Sequence, residues 1–215
     1  MGKFSNGIWG NFYGKIGNVI GSQWRGIDYL RSLPRINKNR VPSQAQIEQQ
    51  ARFALMTGFL NLIRPVLEIG FRNQAIGATA YNVALSENIK NAITGIYPEF
   101  GIDYSMVSLS RGLLPSGLNP AAEAAAGLNV GFSWANNAGK GKAKDTDAVV
   151  ALIFCPELNE FEYSVAQATR ADGALSVTVP ADFGGKEVET YLFWVPQTGK
   201  EMSSTVYTGK LTITD

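Results

Sequence analysis

Residues 43–73 read SQAQIEQQARFALMTGFLNLIRPVLEIGFRN, the one long run of helical periodicity in the chain. Ser43 with Gln46 three residues on is a capping-box pattern. The hydroxyl and the later side chain each satisfy a backbone group that the first helical turn leaves without a partner. Thr57, Asn61, Arg64, Glu68 and Arg72 recur near the helical period and form one narrow polar stripe. Most of the remainder from Phe53 to Phe71 is apolar: Phe53, Leu55, Met56, Phe59, Leu60, Leu62, Ile63, Val66, Leu67 and Ile69. A helix apolar over most of its circumference must be covered over most of it, so this segment is expected to be the central post of the fold. Pro65 removes one hydrogen bond and crowds the carbonyl of Asn61, which predicts a kink or break near Arg64.

On the amino-terminal side, residues 1–42 form a basic arm rich in glycine and aromatic residues. Glycines at 7, 10, 14, 17, 21 and 26 alternate with Ile8, Trp9, Phe12, Tyr13, Ile16, Val19, Ile20 and Trp24. Glycine costs a helix about 1 kcal/mol per residue relative to alanine. Lys15 to Leu33 therefore reads as a β-hairpin turning at Arg25-Gly26. A lone hairpin is marginal in water, so this one needs the post helix or another chain to lean on. Lys3, Lys15, Arg25, Arg31, Arg35, Lys38 and Arg40 stand against Asp28 alone, giving the arm +6 within an overall +1 and leaving −5 on the rest. Trp9, Phe12, Tyr13, Trp24, Arg25, Tyr29 and Arg31 are the candidate interaction residues. Rings and cations interleaved in this way suit an acidic protein surface, or stacking and neutralisation of single-stranded nucleic acid.

Residues 43–100 make a helical segment, with a second helix expected over Thr79–Ile93 and Gly95 just past its end. Two helices cannot cover the post on all sides, so a sheet or a second chain must supply the rest. From residue 101 to 215 the period switches to alternation. Leu128, Val130, Phe132 and Trp134 form one such run; Phe161, Tyr163 and Val165 another; Leu175, Val177 and Val179 a third; Tyr207, Leu211 and Ile213 a fourth. Ala148–Cys155 and Tyr191–Val195 are apolar on both sides and are expected to be central strands. With Asp103–Leu109 included, about seven strands result, separated by turn signals such as Leu158-Asn159, Asp172-Gly173 and Gly184-Gly185. Ala121–Gly127 is too short for a stable helix and reads as a linker or single turn. The expected class is α+β: a hairpin arm, a two-helix segment and an antiparallel β-sandwich.

The composition excludes much chemistry. The chain has 215 residues and no histidine, so neither a serine–histidine system nor imidazole metal ligation is possible. A single cysteine, Cys155, cannot form an intrachain disulfide, and between Phe154 and Pro156 it reads as a small core residue. Gly10 to Ile16 imitates a phosphate loop but is one residue short and places Ile16 where a hydroxyl is needed. Asp182-Phe183-Gly184 imitates a kinase motif without the histidine of a catalytic loop. Asn136, Asn137, Asp145 and Asp147 offer oxygen ligands to calcium, yet Lys140, Lys142 and Lys144 crowd them, so a mobile, solvated loop is expected instead. Glu157, Glu160 and Glu162 read as a solvated strand face. No cofactor, no metal and no enzymatic activity are expected. No run approaches the length of a membrane span and no secretory leader pattern is present, so a cytoplasmic or particle-associated location is expected.

Four stretches carry a resemblance: GKIGNVIGSQWRGIDYLRSLP from Gly14, PSQAQ from Pro42, AITGIYPEFGIDYSMVSLSRG from Ala92 and GFSWANN from Gly131. Together they resemble an uncharacterised family of bacteroidete proteins of about this length, a domain of unknown function, over nearly the whole chain. That resemblance implies no assigned activity and no catalytic residue. The glycine-tryptophan run and the glutamine-rich helix start also loosely resemble bacteriophage virion proteins. The carboxyl-terminal half resembles an immunoglobulin or fibronectin type III-like sandwich in strand number and in Trp134 on an early strand, without paired cysteines. The leading expectation is a non-catalytic structural protein that self-associates, or packs with partner protein chains, through its arm and apolar helix, in a virion- or filament-like manner. The alternatives are a sandwich binding glycan or protein through loops such as Asn136–Asp145 and Phe183–Gly185, and nucleic-acid binding by the arm.

Overall fold

A computed structural model describes residues 3–4, 10–34, 41–199 and 201–214. The described chain divides into two compact units, residues 1–43 and 44–215.

In the first unit four antiparallel strands, β1 (Lys3–Phe4), β2 (Phe12–Ile16), β3 (Val19–Trp24) and β4 (Ile27–Ser32), lie side by side in chain order. The expected hairpin is thus one half of a small meander. Its Arg25-Gly26 turn is present, with both residues at positive φ (48° and 84°), the twist that a two-residue connection between right-twisted strands requires. A second turn at Gly17 (φ 58°) joins β2 to β3. Gly21 lies under the backbone of β2: a Cβ there would fall 2.1 Å from the Phe12 carbonyl oxygen.

The second unit begins with α1 (Gln44–Leu62), directly after Ser43. The expected break follows, and α2 (Arg64–Gly70) carries Pro65 in its first turn at 89° to α1. There the missing N–H costs nothing, because first-turn donors have no partner inside the helix. Next comes α3 (Ala80–Asn91), capped by Thr79, whose Oγ1 accepts from the Asn82 N–H at 3.2 Å. The helix stops before Ile93, which instead opens a hairpin of β5 (Ile93–Ile96) and β6 (Glu99–Ile102). Gly95, within β5 and opposite Phe100, stands at φ 86°, and the chain turns at Tyr97-Pro98.

Seven strands then form two sheets. These are β7 (Leu118–Ala125), β8 (Asn129–Ala135), β9 (Ala148–Cys155), β10 (Glu160–Thr169), β11 (Ala174–Thr178), β12 (Glu187–Val195) and β13 (Val206–Thr212). One sheet runs β10-β9-β12-β13 and the other β11-β8-β7. Asn159, Gly173 and Gly185 occupy positive φ at expected turns. Two expectations fail. Ala121–Gly127 is not a linker, because most of it is β7, hydrogen-bonded along β8; tertiary pairing overrides alanine's preference for helix. Asp103–Leu109 is not a strand either. It opens with a 3-10 turn at Tyr104–Met106, and its later backbone groups are taken by side chains. Asn88 Oδ1 accepts from the Ser108 N–H at 2.8 Å, and Thr205 Oγ1 accepts from the N–H groups of Leu109 and Ser110 at 2.8 and 2.7 Å.

The four-stranded sheet is covered twice. Val149, Ala151, Ile153, Cys155, Leu192 and Trp194 face the other sheet across a core with Val130, Phe132, Trp134, Leu175 and Val177. Val150, Leu152, Phe154, Tyr191 and Phe193 face Met56, Phe59, Leu60, Ile63, Val66, Leu67 and Phe71 of the helical layer. This double cover is why β9 and the second half of β12 are apolar at successive positions. Phe59 meets Phe154 edge-on at 5.0 Å between ring centroids. The post is therefore largely sheltered within its own chain, and the apolar surface that suggested a second copy there reduces to Phe53 and Leu62, 50% and 46% exposed.

Candidate functional site

The arm carries a dense run of exposed apolar side chains, although single residues elsewhere, Ile76, Ile96 and Leu113, are more exposed. All six residues of β4 are exposed. Ile27 and Leu30 are 67% and 65% exposed, Trp24 51%, and Ile16, Val19, Tyr29 and Leu33 are open as well. Residues directly opposite in an antiparallel pair share a face. Register sets Trp24 against Ile27, Ser22 against Tyr29 and Ile20 against Arg31, with Lys15 opposite Ile20. One face thus gathers two rings, two aliphatic side chains, an ammonium and a guanidinium. The other carries Ile16, Val19 and Leu30 around Gly14 and Gly21. Among the described residues β4 is also an edge strand, and the outward N–H and C=O groups of such a strand can pair with another chain.

The seven candidate interaction residues distribute unevenly. Trp24, Tyr29 and Arg31 come together on the ring-and-cation face. Arg25 sits in the turn beside them. Phe12 lies over Gly21. Tyr13 is tied to Asp28, whose Oδ1 accepts from its hydroxyl at 3.1 Å while Asn11 also donates to that carboxylate. The bond to Asp28 holds the Tyr13 phenol above its ordinary ionisation range. Trp9 lies outside the described residues. Gly10, Asn11, Phe12, Asp28, Tyr29 and Leu30 enclose a shallow recess of about 250 Å³.

A second feature gave no signal in the sequence. Arg170 is wholly buried and forms an ion pair with Asp147, Nε to Oδ2 at 3.1 Å. Its other nitrogens donate to the Asn137 side chain and, at 2.7 Å, to the Pro115 carbonyl. The guanidinium lies 5.4 Å from the centre of the Trp194 ring, and the Arg170 carbonyl accepts from the Trp134 indole at 2.9 Å. Burial pulls the Arg170 pKa down while Asp147 opposes that shift. Asp147, weighed above as a calcium ligand, is instead this cation's partner, and Asp145 is held by Asn136. The loop expected to be mobile is pinned at both ends, at Asn137 and Asp147. Among the described residues no cluster of His, Cys, Asp or Glu is arranged to hold a metal. Phe183, part of a proposed binding loop, is buried in the inter-sheet core and is not presented to a ligand.

Among the described residues no single helix is long and apolar enough to cross a membrane; α1 and α2 reach that hydropathy only jointly, across their bend. The model of a family of unknown function, DUF6266, matches residues 10–209. No curated protein matches the chain.

Proposed function

Because the chain belongs to DUF6266, a family whose function is unknown, we propose its role from its own surface: it is a non-catalytic assembly protein that associates with further copies of itself through the amino-terminal arm. The observation that carries this reading is β4, among the described residues an edge strand with every residue exposed. A long, open, hydrophobic edge pairs with other chains unless something blunts it. Strand β10, one edge of the larger sheet, is blunted by a register shift between Val165 and Thr169. β4 carries charge at Asp28 and Arg31, but no such break interrupts its pairing with β3. Covering Ile27 and Leu30, about two-thirds exposed, contributes at most about 1.5–3 kcal/mol each. Association costs about 4–15 kcal/mol, so pairing along the β4 backbone has to contribute as well. The fold class adds nothing to this reading, since sandwiches serve many roles.

Multi-angle light scattering on the full chain tests it. Particles larger than one chain are expected at micromolar concentration, and the double variant Ile27→Lys, Leu30→Glu should return them to single chains. Both positions are exposed, so the substitutions leave the fold intact. A full-length protein that stays monomeric as concentration rises defeats the proposal.

A further inference from the structure

The loop end of the sandwich holds a cleft of about 390 Å³, remote in sequence from the arm, lined by Leu114, Lys142, Lys144, Thr146, Pro196, Gln197, Thr198 and Glu201. Three separate stretches of chain supply these residues, and the buried arginine fixes two of them. Arg170 holds the Pro115 carbonyl next to Leu114 and the Asp147 carboxylate next to Thr146. Asp147 also accepts from the Lys144 N–H at 2.8 Å. The third wall leaves β12 just beyond Trp194, whose N–H and C=O are both bound by Ser203 at 2.8 and 2.9 Å. The Leu114 N–H donates to Met202 at 3.2 Å and closes the floor.

The lining has the mixture that small-molecule sites show, an apolar body contact with a few polar groups that fix orientation. Leu114 and Pro196 are the apolar part; Thr146, Thr198 and Gln197 supply hydroxyls and an amide. Lys142 is paired with Glu201. Lys144 forms no ion pair among the described residues. Among the described lining residues, two ammonium groups and one carboxylate carry a net single positive charge. Glu201 is held at φ 60°, and five other non-glycine residues among those described also stand at positive φ, a conformation that costs a residue with a Cβ. Two polar atoms of the anchoring cluster, Trp194 Nε1 and Asp147 Oδ1, are buried without a hydrogen-bond partner.

We infer that this cleft binds a small organic anion, a carboxylate or phosphate on a compact apolar body. Lys144 receives the charge, the two threonines and Gln197 orient the molecule, and Leu114 with Pro196 cover its body. The volume admits one small molecule and excludes a folded peptide. Glu201 opposes binding by holding Lys142 to itself.

Amide NMR on the full-length chain tests this with benzoate, phenyl phosphate and neutral benzyl alcohol as probes. Saturable shifts at Lys144, Thr146, Gln197 and Thr198 are expected with one or both anions at millimolar concentration and not with benzyl alcohol. Whichever anion binds more tightly assigns the head group. Lys144→Gln should weaken binding by about tenfold, the loss of one charge-assisted contact. Glu201→Gln, which frees Lys142, should strengthen it. Equal shifts with benzyl alcohol, no shifts at these four amides, or unchanged affinity in Lys144→Gln each overturn the inference. Lys144 is exposed, so the fold survives the change, and none of these outcomes bears on the arm.

Discussion

Arg170 shows what a single residue can govern here. It ties the loops at Pro115, Asn137 and Asp147 to a tryptophan pair, Trp134 and Trp194, whose rings meet edge-on at 6.0 Å. Removing one member of a buried ion pair leaves the other charged and dry, which costs about 3–5 kcal/mol, whereas replacing both by apolar groups of similar size is often neutral. Asp147→Ala should therefore cost that much in urea unfolding, and the pair Asp147→Leu with Arg170→Met should recover most of it. A loss below about 1 kcal/mol for Asp147→Ala would mean that Arg170 has found water. This arrangement was illegible in the sequence for a physical reason. Arg170 follows β10 as an ordinary charged residue, 23 positions from its partner, and no periodicity marks a cation that turns inward. Cys155 is the opposite case. Its apolar neighbours and lack of any second cysteine or histidine left only a core position, and it is buried in the inter-sheet core.

Among elements, α1, α2, β9 and β12 were legible because their patterns have one physical solution. A proline inside a helical period breaks the helix, and successive apolar residues in a strand need cover on both faces. β7 and the stretch around Tyr104 were not, because partners distant in sequence decide them. Alanines accept a strand where β8 offers hydrogen bonds, and Ser108 to Ser110 give theirs to Asn88 and Thr205. Two glycines separate local propensity from packing. Gly58, in the middle of α1, has nothing within 4 Å of where a Cβ would stand. Gly58→Ala should stabilise the protein by about 0.5–1 kcal/mol, the helix-interior difference between the two residues. Gly70, at the end of α2, lies against the 109–110 stretch, and its Cβ would fall 2.1 Å from the Leu109 carbonyl oxygen. Gly70→Ala should destabilise by about 1–3 kcal/mol, because backbone must move to admit it. Thermal unfolding of both variants checks the pair, and equal signs would mean that α2 does not press on that stretch.

At the scale of the whole molecule, the charge asymmetry decides how copies would meet. The arm carries +6 and the remaining residues −5, so two arms repel while an arm and the body of another copy attract. The exposed cations of the ring-and-cation face, Lys15 and Arg31, adjoin the apolar side chains that need cover. Docking of that face on another copy's acidic body would satisfy both at once. Pairing of arm with arm would leave like charges together. Salt distinguishes the two. Screening shortens the reach of exposed charges to about 10 Å at 0.1 M and about 3 Å at 1 M, while exclusion of a salt such as sulfate strengthens apolar contact. For arm-on-body assembly, the light-scattering mass should fall as sodium chloride rises from low ionic strength, and Arg31→Glu should lower it further at low salt. If the mass instead holds or grows with salt, and Arg31→Glu leaves it unchanged, the copies meet through apolar surface alone and the −5 body is not the surface that receives the arm.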